Sequence, residues 1–350
     1  NWILGSLKQT TLTSTIPGDT KVRTTALEYT AQGLLSKETQ EPTRPNDCLQ
    51  TSYGYDAFGN RTSVSAAACS GASGNTVLSA ATARSSTDNF GTDGRFALTS
   101  TNALSQGETK TYDSRFGTLA TLTGPNSLST SWQVDSFGRR TRETRADGTY
   151  TLWTYQLCTQ AGAACPTTVG PASVVWVVSE QGYAVNGAVA STQKRQYYDS
   201  LNRVVRVQTQ GFDGAGVAAP TLIQDTEYNA KGQVARQSAW YASTGTPVWT
   251  SYSYDALGRT STESRPDSAA AGGTATTSYA YNGLSTTVAN AKSQTKTSVK
   301  NAWGQIASVT DAQGNTITYQ YDALGNLTQT NAAGSVTSLQ YDLRGRKVAM

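Results

Sequence analysis

Three sets of residues in this sequence could do chemistry: four cysteines, a recurrent series of aspartates, and two glycine-rich runs. The cysteines fall as two local pairs, Cys48 with Cys69 and Cys158 with Cys165, in loop-like Ala/Gly-rich sequence. Two disulfides closing short loops are expected in an oxidising compartment, the alternative being four free thiols. A zinc site does not fit, because there is no histidine and the spacing is not C-x2-C. The lack of histidine also removes the commonest general base and excludes Ser-His-Asp and Cys-His arrangements within this chain. Paired carboxylates remain open in principle. The runs Gly71-Ala72-Ser73-Gly74 and Gly211 to Gly216 do not lead from a strand into a helix, as a phosphate loop must, and read as plain loops. Asp311-Ala312-Gln313-Gly314-Asn315 has a calcium-loop look but lacks the alternating acids and closing Glu, so a turn is expected. No catalytic, cofactor-binding or metal-binding residue is expected, and no cofactor.

The aspartates are better explained by turns. One pattern recurs: Tyr, then Asp or Asn, two residues, Gly, and a polar residue. The clearest copies begin at Tyr55-Asp56 (Gly59), Tyr254-Asp255 (Gly258), Tyr321-Asp322 (Gly325) and Tyr341-Asp342 (Gly345). Looser copies are Val134-Asp135 (Gly138), Tyr198-Asp199 (Asn202), Tyr228-Asn229 (Gly232), Tyr281-Asn282, Asn301 (Gly304), and Tyr112-Asp113 with its glycine displaced to Gly117. Asp or Asn opens a turn by bonding a backbone N–H two residues on, and Gly supplies the positive φ that closes it. Asn202 tolerates the same conformation. The apolar residue between them, as in Phe58, Leu257 and Leu324, is expected to tuck beneath the turn. Pairs such as Tyr53-x-Tyr55 and Tyr252-x-Tyr254 put aromatics on one strand face.

Such turns need strands on either side. Charged residues make up only 15% of the chain, and the Thr, Ser, Gly and Asn that replace them disfavour helices. Further turns at Asp147-Gly148, Gly314-Asn315 and Gly334-Ser335 fall between the motifs, giving the rhythm of an antiparallel meander. Each unit is then one hairpin, marginal alone and stable only when stacked on its neighbours. The fold expected is all-β: tandem antiparallel hairpin repeats over residues 1–350, forming a long curved sheet. Residues 63–96 and 156–193 break the period as irregular insertions, with shorter ones near 211–222, 241–250 and 264–277. Trp153, Trp176, Trp240 and Trp249 lie off the motif and are the candidates for a surface role.

The net charge of +4 is spread out, with no basic run to track a phosphate backbone, so nucleic acid is not an expected partner. The longest apolar run, Val174 to Val178, is strand length, and no membrane span is expected. The chain opens on Asn1 without a signal peptide of the usual shape and stops just after a motif copy, so both ends read as cut from something longer.

The motif copies resemble the YD repeats of the Rhs (rearrangement hotspot) family, and Asn1-Trp2-Ile3-Leu4-Gly5 resembles the segment that often precedes such arrays. The resemblance covers nearly the whole chain. It implies a β-shell segment of the kind that coils around a toxic C-terminal domain, as in toxin-complex proteins; related arrays occur in wall-associated proteins. The family's self-cleaving aspartates and variable toxin domain have no counterpart here, so no catalytic residue is carried over. The expected partner is a toxin domain of the same polypeptide or a delivery complex, and the expected location secreted or cell-surface. The alternative is a binding module whose loops recognise cell-surface glycans or a neighbouring cell.

Overall fold

The computed structural model describes residues 5–71, 82–211 and 219–350. Asn1 to Leu4, and most of both glycine-rich runs (residues 72–81 and 212–218), lie outside the described residues. Strands joined by turns make up nearly all the regular structure of the described residues. Among the described residues, twenty-seven strands join antiparallel ladders, two small two-stranded ribbons stand apart, and the one helical turn is a short 3-10 segment at Ala271–Gly273.

The chain divides into two units, one of residues 1–130 with 317–350, the other of residues 131–316. In the first, strands follow one another as a meander from Gln9–Ile16 through Asp19–Tyr29, Leu35–Gln40, Leu49–Tyr55 and Arg61–Ala68 to Leu119–Thr123, each pairing with the next. The second repeats the plan, for example over Trp249–Tyr254, Thr260–Pro266, Thr274–Asn282 and Ser285–Ala289.

Hydroxyl-rich strands suit this plan because few side chains of these ladders are buried. Instead, Thr and Ser pair across neighbouring strands: Thr111 with Thr121 at 2.7 Å, Ser264 with Thr276 at 2.8 Å, Thr287 with Thr297 at 3.0 Å. Such cross-strand pairs each contribute a fraction of a kcal/mol and recur along the ladders.

A buried apolar cluster forms where an inserted stretch folds back over the sheet. Val169, Val174, Val177, Tyr197 and Val205 are buried together, with Cys158, Cys165, Ala172 and Tyr228 packed against them. Within the 156–193 stretch, Trp176–Tyr183 is a regular strand pairing with both Tyr150–Leu157 and Lys194–Tyr198. The interruption therefore narrows to residues 158–175, which hold the small ribbon Thr168–Val169 with Ala172–Ser173, and residues 184–193. The Tyr197 hydroxyl donates to the Ala164 carbonyl at 3.2 Å and ties the flap down. Cys158 and Cys165 are disulfide-bonded within it. The second disulfide, Cys48–Cys69, is buried and joins the loop before Leu49–Tyr55 to the end of Arg61–Ala68.

Val205→Ala should cost about 2 kcal/mol, two buried carbons plus the cavity they leave. Losing Cys48–Cys69, whose cysteines are 21 positions apart, should cost about 3 kcal/mol in the chain-entropy account. Both are read as lower midpoints in thermal or denaturant unfolding, the second in a Cys48→Ser, Cys69→Ser variant that keeps Cys158–Cys165.

Candidate functional site

The turn at each motif is a small closed network built by one side chain. In the copy at Asp255, the Asp255 N–H donates to the Arg259 carbonyl (2.9 Å) and the Gly258 N–H to the Asp255 carbonyl (3.0 Å). Asp255 Oδ1 accepts the N–H of Leu257 and of Arg259, each at 2.9 Å, and Oδ2 accepts Arg259 Nε at 2.7 Å. Gly258 has φ +81°. The register slips between Ser253 and Tyr254, giving the bulge that accompanies a three-residue hairpin loop closed by a left-handed residue.

The other copies reuse this network, with a matched partner four residues on. Asp135, Asp199 and Asp342 pair with Arg139, Arg203 and Arg346; Asp56 and Asp322 pair with Asn60 and Asn326. Where the leading residue is an amide, the partner is a glutamine: Asn229 Nδ2 donates to Gln233 Oε1, and Asn301 Nδ2 to Gln305 Oε1. Gly59, Gly138, Gly232, Gly325 and Gly345 all take positive φ, and Asn202 stands at +61°. The Asp113 turn is one residue longer, its Gly117 N–H reaching the Asp113 carbonyl. Tyr281-Asn282 departs from the pattern: Asn282 pairs directly with Ser285 across a two-residue turn.

The same network appears where the motif was not read. Asn102 with Gln106, Asn290 with Gln294 and Asp311 with Asn315 all form it, the first two with Ser105 and Ser293 at φ near +60°. The 311–315 segment is thus a turn of this class. Tyr29-Thr30 is a further copy, with Thr30 Oγ1 accepting the Leu34 N–H.

The motif tyrosine reaches out of its own turn. Its hydroxyl donates to the carbonyl two residues past the preceding motif glycine or its stand-in: Tyr55 to Leu35 (2.7 Å), Tyr228 to Val204 (2.9 Å), Tyr254 to Val234 (2.8 Å) and Tyr281 to Thr260 (2.9 Å). Tyr155, off the motif, makes the same bond to Arg140. The turn arginine completes the link. Arg203 lies over the Tyr228 ring at 4.5 Å, Arg259 over Tyr281 at 4.1 Å and Arg139 over Tyr155 at 4.4 Å. Tyr198 instead stacks on Trp176 at 4.1 Å, and Tyr341 lines a cleft beside Asp19 and Lys21.

The apolar residues between acid and glycine do not all tuck under. Phe58 and Leu257 are exposed, while Leu324 is half-buried. The turn is already closed by hydrogen bonds, so the side chain of its second residue points away from it. Of the off-motif tryptophans, Trp176 is stacked on Tyr198, Trp249 lies under Arg236 (4.3 Å) and Trp153 near Arg140 (5.9 Å), all half-buried; Trp240 is exposed.

Each buried carboxylate among the described residues has an arginine. Asp225 takes Arg206 in two bonds (2.6 and 2.8 Å) and the Tyr241 hydroxyl at 2.6 Å; Glu227 takes Arg236, Asp199 takes Arg203, and Glu41 takes Arg44. Desolvation and the Asp225 carboxylate push the Tyr241 phenol up to about 12. The Asp225 and Glu227 pairs escaped the motif reading, although each acid faces its arginine in direct register on the neighbouring strand. The Arg115 side chain, then its backbone N–H, hold the Asp113 carboxyl down at about 2. At Asp199, desolvation pushes upward but the bonds from Arg203 and Leu201 outweigh it, and the pKa is lowered. Asp113 and Asp199 are thus held as charged acceptors, an arrangement that fixes backbone shape.

Residues 301–335 match the family described as RHS Repeat. No curated protein matches the chain in sequence. Among solved structures, TcdB2-TccC3 is similar with a TM-score of 0.60 at 14% identity, over 93% of this chain and 22% of that one. The same pair without its hypervariable C-terminal region gives 0.31 at 10% identity, over 93% and 18%. The Photorhabdus luminescens Tc holotoxin pore, carrying a TccC3 mutation, gives 0.31 at 12% identity, over 97% and 23%. The chain spans about a fifth of the length of these structures.

Tyr254→Phe should destabilise by about 1 kcal/mol, the net worth of one hydrogen bond. Asp255→Asn should keep the backbone bonds of its turn and lose the Arg259 ion pair, whereas Asp255→Ala should lose both and cost more; hydrogen exchange at the Leu257 and Arg259 amides separates the two. The acid response follows from Asp113. Its folded pKa, about 2, lies below the ordinary 3.8, so its stabilisation is complete above that value and is lost as pH falls toward 2. Arg115→Gln should shift acid unfolding to higher pH.

Proposed function

We propose that this Rhs-type YD-repeat chain is a non-catalytic wall segment of a β-shell that encloses or presents a toxic domain of its own polypeptide, alone or within a delivery complex. The observation that carries this reading is the fold shared with TcdB2-TccC3 over 93% of the chain. The turn chemistry supports it. The motif carboxylates are committed to backbone amides and to a neighbouring side chain, and the tyrosines to the preceding repeat. Such an array supplies wall rather than catalysis. Two disulfides suit a protein that works outside the reducing cytosol, secreted or at a cell surface.

The test uses the polypeptide of the complete reading frame, treated natively with a broad-specificity protease. A domain following the array should survive protease that digests the same domain expressed alone. Loosening the wall with Tyr228→Phe and Tyr254→Phe together should expose it. Equal digestion of the free and linked domain, or a reading frame with no domain after the array, overturns enclosure.

A further inference from the structure

The two disulfides of this chain stand in opposite surroundings. Cys48 and Cys69 are 1% and 0% exposed. The Cys69 N–H donates to the Cys48 carbonyl at 3.2 Å, and the loop before Cys48 closes over the pair, so that a Cβ added to Gly71 would collide with the backbone of Arg44 and Pro45. Cys158 and Cys165 are only partly buried, and between them Thr159, Gln160, Ala161, Gly162 and Ala164 are exposed. A Cβ added to Gly162 would meet no atom within 4 Å, so the tip of this loop stands in open solvent. Residues 156–168 carry no charge of their own that would repel a thiolate.

The accessible bond is also the one that holds the flap. Cys158 follows directly on the strand Tyr150–Leu157, and Cys165 stands on the returning leg, ahead of the ribbon Thr168–Val169 with Ala172–Ser173. With the bond formed, Val169 is tied to the end of that strand through residues 166–168; with it broken, through residues 159–168. The shorter tether loses less entropy when the flap is ordered. Besides the bond, the flap is held mainly by Val169 and Val174 in the apolar cluster, by the Tyr197 hydroxyl on the Ala164 carbonyl, and by the Val175 N–H on the Tyr198 carbonyl at 2.8 Å. At its tip Gly170 takes φ +55°, and a Cβ there would collide with the Glu227 carboxylate, so the flap reaches as far as Thr221–Tyr228. It therefore lies across Trp176–Tyr183, Lys194–Tyr198 and Val204–Gln210, over Val177, Tyr197 and Val205.

We propose that Cys158–Cys165 is a thiol-exchange site that latches the flap. A small-molecule thiolate of the glutathione class attacks one of the two sulfurs, a mixed disulfide forms, and the other cysteine leaves as a thiolate. A second small thiolate attacks the small-molecule sulfur of the mixed disulfide and releases the first cysteine. Each cysteine takes up the proton that an attacking thiol gave up, so the products are two free cysteines and one small-molecule disulfide. The flap then opens and uncovers Val177, Tyr197 and Val205, while Cys48–Cys69 and the strand ladders stay as they are. Exchange with a small-molecule disulfide closes it again. The flap is latched in oxidising surroundings and loose in a reducing cytosol. The proposal stands whether or not a domain is enclosed.

Native reduction of the intact chain with glutathione tests it. Samples taken over time are alkylated with iodoacetamide, and peptide mass spectrometry reads each cysteine. Cys158 and Cys165 should become alkylated at least about tenfold sooner than Cys48 and Cys69, which need a local opening first. Hydrogen exchange should quicken by at least about tenfold at the Val174 amide, whose bond to the Thr167 carbonyl a lone two-stranded ribbon cannot keep. Exchange in Trp249–Tyr254 should not change, and oxidised glutathione should restore slow exchange at Val174. Cys158→Ser with Cys165→Ser should exchange fast at Val174 with or without glutathione; the wild-type measurement stands without that variant. A Cys158–Cys165 bond that resists glutathione, equal reduction of both bonds, slow exchange at Val174 once the bond is open, or loss of the strand circular dichroism on reduction overturns the proposal. None of these readouts touches protease protection of a linked domain, so the two readings fail separately.

Discussion

Each repeat depends on one oxygen accepting two backbone N–H groups. At Asp255 that oxygen organises the whole loop, because an exposed three-residue reversal has few other means of fixing its backbone. The second carboxylate oxygen then fixes the residue four positions on, and that residue fixes the next tyrosine. Order passes from turn to neighbouring hairpin through a chain of one acid, one arginine and one ring. The ring's hydroxyl closes the link on a backbone carbonyl. Few side chains of these ladders are buried, so polar bonds at the turns take over much of what packing does elsewhere.

The exception shows the rule. Where residues 158–175 fold over the sheet, valines and Tyr197 form a buried cluster of the ordinary kind, with a disulfide on top. There the fold-back covers that part of the sheet and supplies the packing partner. Elsewhere the ladders rely on hydroxyl pairs and on ion pairs set in direct register, such as Arg206 with Asp225.

Much of the fold is legible in the sequence because turn chemistry is local. Asp or Asn followed by a left-handed residue is visible as letters, and its spacing sets strand lengths. The matched partner was on the page too, arginine or asparagine after an acid and glutamine after an amide, but its meaning needs the geometry of the fourth residue. The turns at Ser105 and Ser293 stayed hidden because serine seldom adopts φ near +60°, and no tyrosine announces them. The expected inward lean of Phe58 and Leu257 failed because a loop closed by hydrogen bonds leaves no hollow beneath it. Trp176 and Trp249 looked like surface platforms only because their stacking partners, Tyr198 and Arg236, are distant in sequence. Cross-strand charge pairs were illegible for the same reason: register, which decides them, is set by the loops between.

The tyrosine link ends on a main-chain carbonyl, a group every residue owns. A repeat therefore makes few demands on the side chains of the one before it, while its acid and matched partner travel together within five residues. Hairpins of this kind behave as interchangeable parts. One can be duplicated, dropped or exchanged for another with its internal network intact, and the seam heals through backbone atoms. The array can thus change length and surface in whole units while keeping the joinery that holds it together.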